Sequence, residues 1–151
     1  MIPKGAEGIS HIASRLVVDL LPKADDEYMA ADLVMTADLI KLVAQDYDRA
    51  VDVLAMDHHD LCAILHEAAP QLNSSPLSRR IEEALASEPR SQRVSDLTER
   101  ADNTMKVLID LHQVLENDMG HEGTEWAARV NLKIWRFLEA YVARRMYQSN
   151  S

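Results

Sequence analysis

The chain has 151 residues, of which 47% are hydrophobic and 27% are charged, and this composition fits one globular domain rather than a disordered protein. Its formal net charge of −9 at pH 7 argues against a nucleic-acid-binding protein, which usually presents a basic surface. No apolar run is long enough to span a membrane, and the single cysteine, Cys62, allows no internal disulfide, so we expect a cytoplasmic protein with no membrane partner.

The first residues predict a flexible lead-in over 1–8, because this segment contains one proline and two glycines. We expect a single helical-bundle domain to follow over 9–148. Apolar residues at helical spacing then predict a first helix that Pro22 ends. These residues are Ile9, Ile12, Ala13, Leu16 and Leu20.

The central stretch 25–69 contains no glycine or proline and predicts one unusually long helix, although the pattern leaves open whether it is continuous. Its apolar and small residues recur at alternating steps of four and three, which is typical of a helix that packs against other helices. Only His58 interrupts this series with a polar group. Unless the helix deviates there, we expect its side chain to point inward and to find a hydrogen-bond partner or an ion. The apolar series is Leu33, Ala37, Ile40, Ala44, Tyr47, Val51, Leu54, Leu61, Leu65 and Ala68.

The same stretch accounts for all of the net negative charge. Nine aspartates together with Glu27 and Glu67 oppose only Lys41 and Arg49, so 11 acidic minus 2 basic residues leave −9, equal to the charge of the whole chain. We interpret most of these carboxylates as a solvated surface of the helix.

Two further helices follow a connection over 70–76. Ser75 and Pro76 suit the cap and first residue of a short helix, which residues 88–92 end. A second series with steps of three and four predicts another long helix, which the glycine-containing stretch 120–123 ends. This series is Val94, Leu97, Ala101, Thr104, Leu108, Leu111 and Leu115.

The last helix, predicted over 124–148, has an aromatic side and a basic side. We expect the aromatic side to anchor the bundle, because aromatic residues at helical spacing usually belong to a core. The basic side complements the acidic central helix, and we expect the two to lie close together. The aromatic residues are Trp126, Trp135, Phe137, Tyr141 and Tyr147, and the basic residues are Arg129, Lys133, Arg136 and Arg144.

No stretch alternates as strands do, so the fold class that we predict is all-α. The predicted architecture is a helical bundle of four main helices and one short helix, with one unusually long central helix. Apolar residues surround the segment 33–44 on nearly all sides, more than a simple bundle requires, and this predicts a homodimer or another homo-oligomer.

The one concentration of potential metal ligands lies near the end of the central helix. His59, Cys62 and His66 share a helix face at steps of three and four, and imidazole and thiolate groups at that spacing suit Zn²⁺ or another divalent metal. His112 and Glu116, one turn apart on a later helix, are the candidates to complete the site. The simpler alternative is surface histidines beside a cysteine that acts as a small apolar residue.

Two metal-binding families resemble parts of this pattern. The segment from His112 to Glu116 is similar to the His-x-x-x-Glu step of hemerythrin-like bundles, which hold two irons, although the chain has no His-x-x-x-His pair. His59 followed by Asp60 resembles the central motif of HD-domain metal phosphohydrolases. Either resemblance implies a metal-dependent helical protein. The outer ligands of the HD-like motif would be His11 and Asp110 or Asp118.

No pattern in the sequence indicates catalysis. The four glycines form no phosphate-binding loop, and no acidic loop with a glycine turn is present for Ca²⁺ or Mg²⁺. We therefore predict a non-catalytic helical-bundle protein without a cofactor, acting through self-association or a protein partner. The alternative is a hemerythrin-like or HD-like metal-binding bundle protein or enzyme.

Overall fold

The structure is a computed structural model that describes residues 4–72, 75–118 and 125–147. It confirms the all-α fold class, since these residues form helices, turns and connections and contain no strand. One helix is far longer than the others, as the glycine-free central stretch predicts. The α-helices of the described residues are α1 (Gly5–Arg15), α2 (Glu27–Ala68), α3 (Pro76–Leu85), α4 (Val94–Asp118) and α5 (Glu125–Arg145).

The chain divides into two compact units. The described part of the N-terminal unit runs to Ala50 and includes Tyr147, so this unit contains α1 and the first half of α2. The C-terminal unit, Val51–Met146, contains the second half of α2 together with α3, α4 and α5. The single domain expected over 9–148 stays a prediction.

Helix α1 begins earlier than the sequence predicts. Its first turn starts at Gly5, inside the lead-in expected over 1–8, which corrects that boundary, while the first three residues lie outside the described part of the chain. After α1 the chain continues as a π-helical turn, Leu16–Leu20, and a 3₁₀ turn, Leu21–Lys23, which contains the proline. The predicted end of this helical segment is therefore confirmed, because a proline cannot continue the hydrogen-bond ladder.

Helix α2 runs without a break over 42 residues, which answers the question of its continuity. Asp26 precedes it and accepts a hydrogen bond from the backbone N–H of Met29 at 2.8 Å, so the carboxylate satisfies one of the free donors of the first turn. The helix ends where Pro70 enters a 3₁₀ turn, Ala69–Gln71.

The N-terminal unit has a core of small side chains. Ala13 of α1 and Ala37 and Ala44 of α2 are buried, as the two helical series predict. At the start of α1, Gly5 lies so close to Tyr47 that a β-carbon there would come within 2.4 Å of the ring. Helix α1 therefore packs along the first half of α2 through alanines and a glycine contact. The inward position predicted for Tyr47 is nevertheless wrong, because most of its side chain is exposed.

The C-terminal unit has a core of larger apolar side chains from its four helices. Ser75 caps α3 as predicted, since its hydroxyl accepts a hydrogen bond from the Ser78 backbone N–H at 3.1 Å. The buried hydroxyl of Thr104 on α4 donates a hydrogen bond to the Arg100 carbonyl at 3.0 Å. Thr104 is the one polar residue in the apolar series predicted for this helix, and its hydroxyl therefore has a hydrogen-bond partner. The core includes Leu61, Ile64, Leu65, Ile81, Leu108, Leu111, Leu115, Val130, Ile134 and Phe137.

Helix α5 turns only part of its aromatic side inward. Phe137 is buried, and Trp126 and Tyr141 pack at the edge of the core. Trp135 is 53% exposed, so the aromatic side predicted for this helix is too wide. The predicted end residues of the helix, 124 and 148, lie outside the described residues.

The basic side of α5 lies against acidic residues of α2, as the sequence predicts. Arg129 donates from Nε to Glu67 at 3.0 Å, and Lys133 contacts the same carboxylate. These hydrogen bonds, with the Lys133 contact as the larger cause, lower the pKa of Glu67. Because the side chains keep contact with water, we expect the group to orient α5 more than to stabilise it. Arg136, the next basic residue, is exposed.

The buried carboxylate of Asp57 is the polar group that the sequence prediction missed. Asp57 is only 1% exposed, and its Oδ1 accepts a hydrogen bond from Arg144 at 2.6 Å. Its Oδ2 lies 2.7 Å from Arg145 Nη2, close enough for an ion pair although not aligned as a hydrogen bond. Arg144 also pairs with Asp60, while Arg145 stacks 3.4 Å from the ring centroid of Tyr141. The end of α5 is thereby fixed to the second half of α2, and the two run antiparallel.

Replacing Arg144 with alanine should destabilise the C-terminal unit. The variant leaves the buried Asp57 carboxylate with one poorly aligned cation, and since removing a partner of a fully buried pair costs about 3–5 kcal/mol, we expect about 2–3 kcal/mol for this partly exposed arginine. Urea unfolding followed by far-UV circular dichroism measures the loss. The matched control Arg129→Ala removes an exposed cation and should cost about 0–1 kcal/mol. Equal losses in the two variants would contradict the special role of the buried carboxylate.

Candidate functional site

The structure does not bring the five predicted metal ligands together into one site. His59 and His66 are exposed on α2, and Cys62 is partly buried. On α4, His112 Nε2 lies 3.9 Å from Glu116 Oε1, so these two residues do meet. Within the part of the chain that the structure describes, no group of three or more His, Cys, Asp or Glu side chains could hold a metal ion. Metal binding by these residues stays a prediction.

Two carboxylates of the HD-like pattern are engaged in ion pairs. Asp60 pairs with Arg144, and Asp110 lies 2.5 Å from Arg80 Nη1. His11 is exposed on α1. A carboxylate neutralised by a guanidinium group is a weaker metal ligand than a free one, so this arrangement gives the HD-like resemblance no support.

His58 finds its partner one turn further along its own helix. Its Nε2 lies 3.4 Å from the Cys62 Sγ, and both side chains are partly buried. Burial raises the pKa of the Cys62 thiol, an effect that the positive charge of Arg100 opposes. Burial is also the main cause that lowers the pKa of His58, with Arg100 second. A protonated thiol beside a neutral imidazole is a weak nucleophile, so this pair has the character of a structural contact.

The His58 environment predicts a pH dependence of stability. Because its pKa in the folded protein lies below the ordinary value of 6.5, the unfolded chain binds a proton more readily. The free energy of unfolding should therefore fall as the pH drops below 6.5, and His58→Gln should remove this part of the fall. Urea unfolding between about pH 7.5 and about pH 5 measures it. The exposed neighbour His59→Gln is the control, and an unchanged pH profile in His58→Gln would refute the assignment.

Two clefts among the described residues show no pair of side chains typical of catalysis. A cleft of about 550 Å³ in the C-terminal unit is largely apolar, with the Arg80–Asp110 pair at its edge. A second cleft, of about 360 Å³, lies between α1 and the first half of α2 and is polar and open. Its polar lining consists of Ser10, Ser14, Lys41, Gln45 and Asp48.

The most unusual surface of the protein is an exposed row of large apolar side chains on the first half of α2. We call it the α2 stripe. Tyr28 at one end is 89% exposed, and Leu39 near the centre is 60% exposed. Apolar side chains of this size seldom line up on the solvent side of a monomeric protein. The α2 stripe consists of Tyr28, Met35, Leu39, Val43 and Tyr47.

The α2 stripe and the face that packs on α1 are different sides of one helix that meet at Tyr47, whose ring lies against Gly5 of α1. At about 100° per residue, the five stripe residues fall within an arc of about 120°, whereas Leu33, Ala37, Ile40 and Ala44 fall within about 60°, centred about 110° away. The apolar surroundings of residues 33–44 pointed to this second face in the sequence. The sequence pattern alone does not show which of the two faces packs against α1 and which stays exposed.

Other large apolar side chains of the N-terminal unit are exposed as well. They are Ile12 in α1, Val18 in the π-helical turn that follows it, and Met29 at the start of α2. At the other end, Tyr147 donates a hydrogen bond to Asp46 Oδ2 at 2.9 Å, which raises the pKa of the phenol. The Arg49 guanidinium carbon stands 5.3 Å from the Tyr147 ring centroid.

Comparison with known protein families, with curated proteins and with solved structures finds no significant match to this chain. Among the described helices, none is both long and apolar enough to cross a membrane.

Proposed function

We propose that the protein has no catalytic role and acts by self-association through the α2 stripe. The supporting observation is the alignment of five large apolar side chains on one exposed face of an unbroken helix. A face of this kind is typical of a helix that packs against a partner helix. The bound form that we propose is a homodimer.

The composition of the N-terminal unit supports a partner. Its buried apolar side chains among the described residues are Ala13, Ala37 and Ala44, which offer little hydrophobic stabilisation. Many larger apolar side chains of the same unit are exposed, and others, such as Leu33 and Ile40, are only partly buried. A partner molecule that covers these side chains would provide the buried apolar area that the N-terminal unit lacks.

The size of the α2 stripe suits a stable interface. Aromatic side chains bury roughly 150–250 Å² each, so covering the exposed parts of Tyr28 and Tyr47 in two copies removes on the order of 500 Å² from water. Met35, Leu39, Val43 and the adjacent Met29 bring the total toward the range of about 1,200–2,000 Å² for specific interfaces. A different protein with an apolar helix face would fit the same stripe.

The chemistry of the remaining residues favours this proposal over an enzyme. The candidate ligands and nucleophiles of the sequence stand apart or are engaged in ion pairs. We also propose a cytoplasmic location without a nucleic-acid or membrane partner, because the chain is acidic and Cys62 is a free thiol.

Light scattering at micromolar concentration tests the proposal. The wild-type protein should have twice the chain mass of 17.0 kDa. Leu39→Glu places two carboxylates at the centre of the interface and should weaken association by about 2 kcal/mol or more, or roughly 30-fold. Circular dichroism should remain unchanged, since Leu39 is exposed within the chain.

The matched control is Ile109→Glu, because Ile109 of α4 has a similar exposure of 61% in the C-terminal unit. This variant should remain dimeric. A wild-type protein that stays at 17.0 kDa, or a dimer that Leu39→Glu leaves intact, would remove the proposal.

A further inference from the structure

We infer that Gly5 is a positioning residue for the α2 stripe, because it leaves the space in which the Tyr47 ring lies. The inference rests on the proposed self-association and adds a residue outside the stripe on which that association depends. The juxtaposition behind it is the first turn of α1 against the exposed ring of Tyr47, at one end of the stripe.

The Tyr47 ring occupies space that a side chain at position 5 would need. A β-carbon added to Gly5 would lie 2.5 Å from the ring carbon Cζ and 2.7 Å from the hydroxyl oxygen. Non-bonded carbon atoms at their optimal separation are about 3.5–4.0 Å apart. Any residue other than glycine at this position therefore requires the ring or a helix backbone to move.

The backbone on both sides of this contact is held by helical hydrogen bonds. The first turn of α1 is closed by a hydrogen bond from the Gly8 backbone N–H to the Lys4 carbonyl at 2.8 Å, and Tyr47 belongs to the unbroken helix α2. The atoms in the way lie at the far end of the Tyr47 side chain, which is 63% exposed. The ring can turn into water at less cost than either helix can shift. A larger residue at position 5 therefore displaces the ring and leaves the fold in place.

The place of this ring matters for association through the α2 stripe. Tyrosine is among the residue types that contribute most to binding when a partner surface buries them. A ring that already lies in its bound position also loses less conformational freedom on association. Gly5 therefore acts on the interface through Tyr47.

A double-mutant cycle tests the inference. Wild type, Gly5→Ala, Tyr47→Ala and the double variant are compared by analytical ultracentrifugation over a concentration series, which measures the dissociation constant of the dimer. Gly5→Ala should raise this constant about 3- to 10-fold, and Tyr47→Ala should raise it about 10-fold or more. In the Tyr47→Ala background, Gly5→Ala should leave it unchanged, because no ring remains to be displaced.

Two controls separate the position of the ring from the stability of α1. Far-UV circular dichroism of Gly5→Ala should show the helix content of the wild type, since alanine is a better helix former than glycine. Gly8→Ala makes the same exchange within α1 and controls for this difference in helix propensity. It should leave the dissociation constant unchanged.

The outcomes distinguish this inference from the proposed function. A wild-type dimer whose dissociation constant Gly5→Ala does not change overturns the inference and leaves self-association intact. The inference also falls if Gly5→Ala loses helix content, if it weakens the dimer equally without the Tyr47 ring, or if Gly8→Ala has the same effect. A mass of 17.0 kDa in every sample removes self-association and the inference together.

Discussion

The first half of α2 has two apolar faces, and within the N-terminal unit α1 covers only one of them. That contact depends on small groups, because Ala13, Ala37 and Ala44 let the helices approach and Gly5 leaves room for a tyrosine ring. Close approach through alanines buries little apolar area, and the five large side chains of the α2 stripe remain largely exposed. The small residues that let α1 pack closely on one face of α2 therefore leave the α2 stripe exposed to water.

The first half of α2 exposes apolar side chains, whereas the second half buries a charged one. Asp57 is buried among apolar neighbours, and a buried carboxylate is tolerated only when cations and hydrogen bonds compensate it. Arg144 and Arg145 at the end of α5 provide that compensation. The acidity of α2 is therefore only partly a solvated surface, because several of its carboxylates position α5 or pair within the helix.

The sequence predicts the helices and much of the core well, because helix breakers and a repeating apolar series are local signals. The prediction of the buried face fails where the 3.5-residue period of the apolar series departs from the 3.6-residue period of a straight α-helix. A series that alternates three and four has a period of 3.5, and on a straight helix it drifts about 20° per heptad. Three heptads after Ala37 the accumulated drift reaches about 60° at His58. The face buried there includes Asp57 instead, and His58 reaches Cys62 at its edge.

The candidate site shows a different limit of sequence reasoning. Histidines, a cysteine and carboxylates on one stretch of helix suggest chemistry, but a site also requires groups from other helices to converge on the same point. Here the converging groups are arginines and a lysine, which neutralise Asp57, Asp60 and Glu67. Ion pairs of this kind hold helices in position and occupy these three carboxylates. The surface that remains without a partner in the chain is apolar, and burying such a surface requires another molecule.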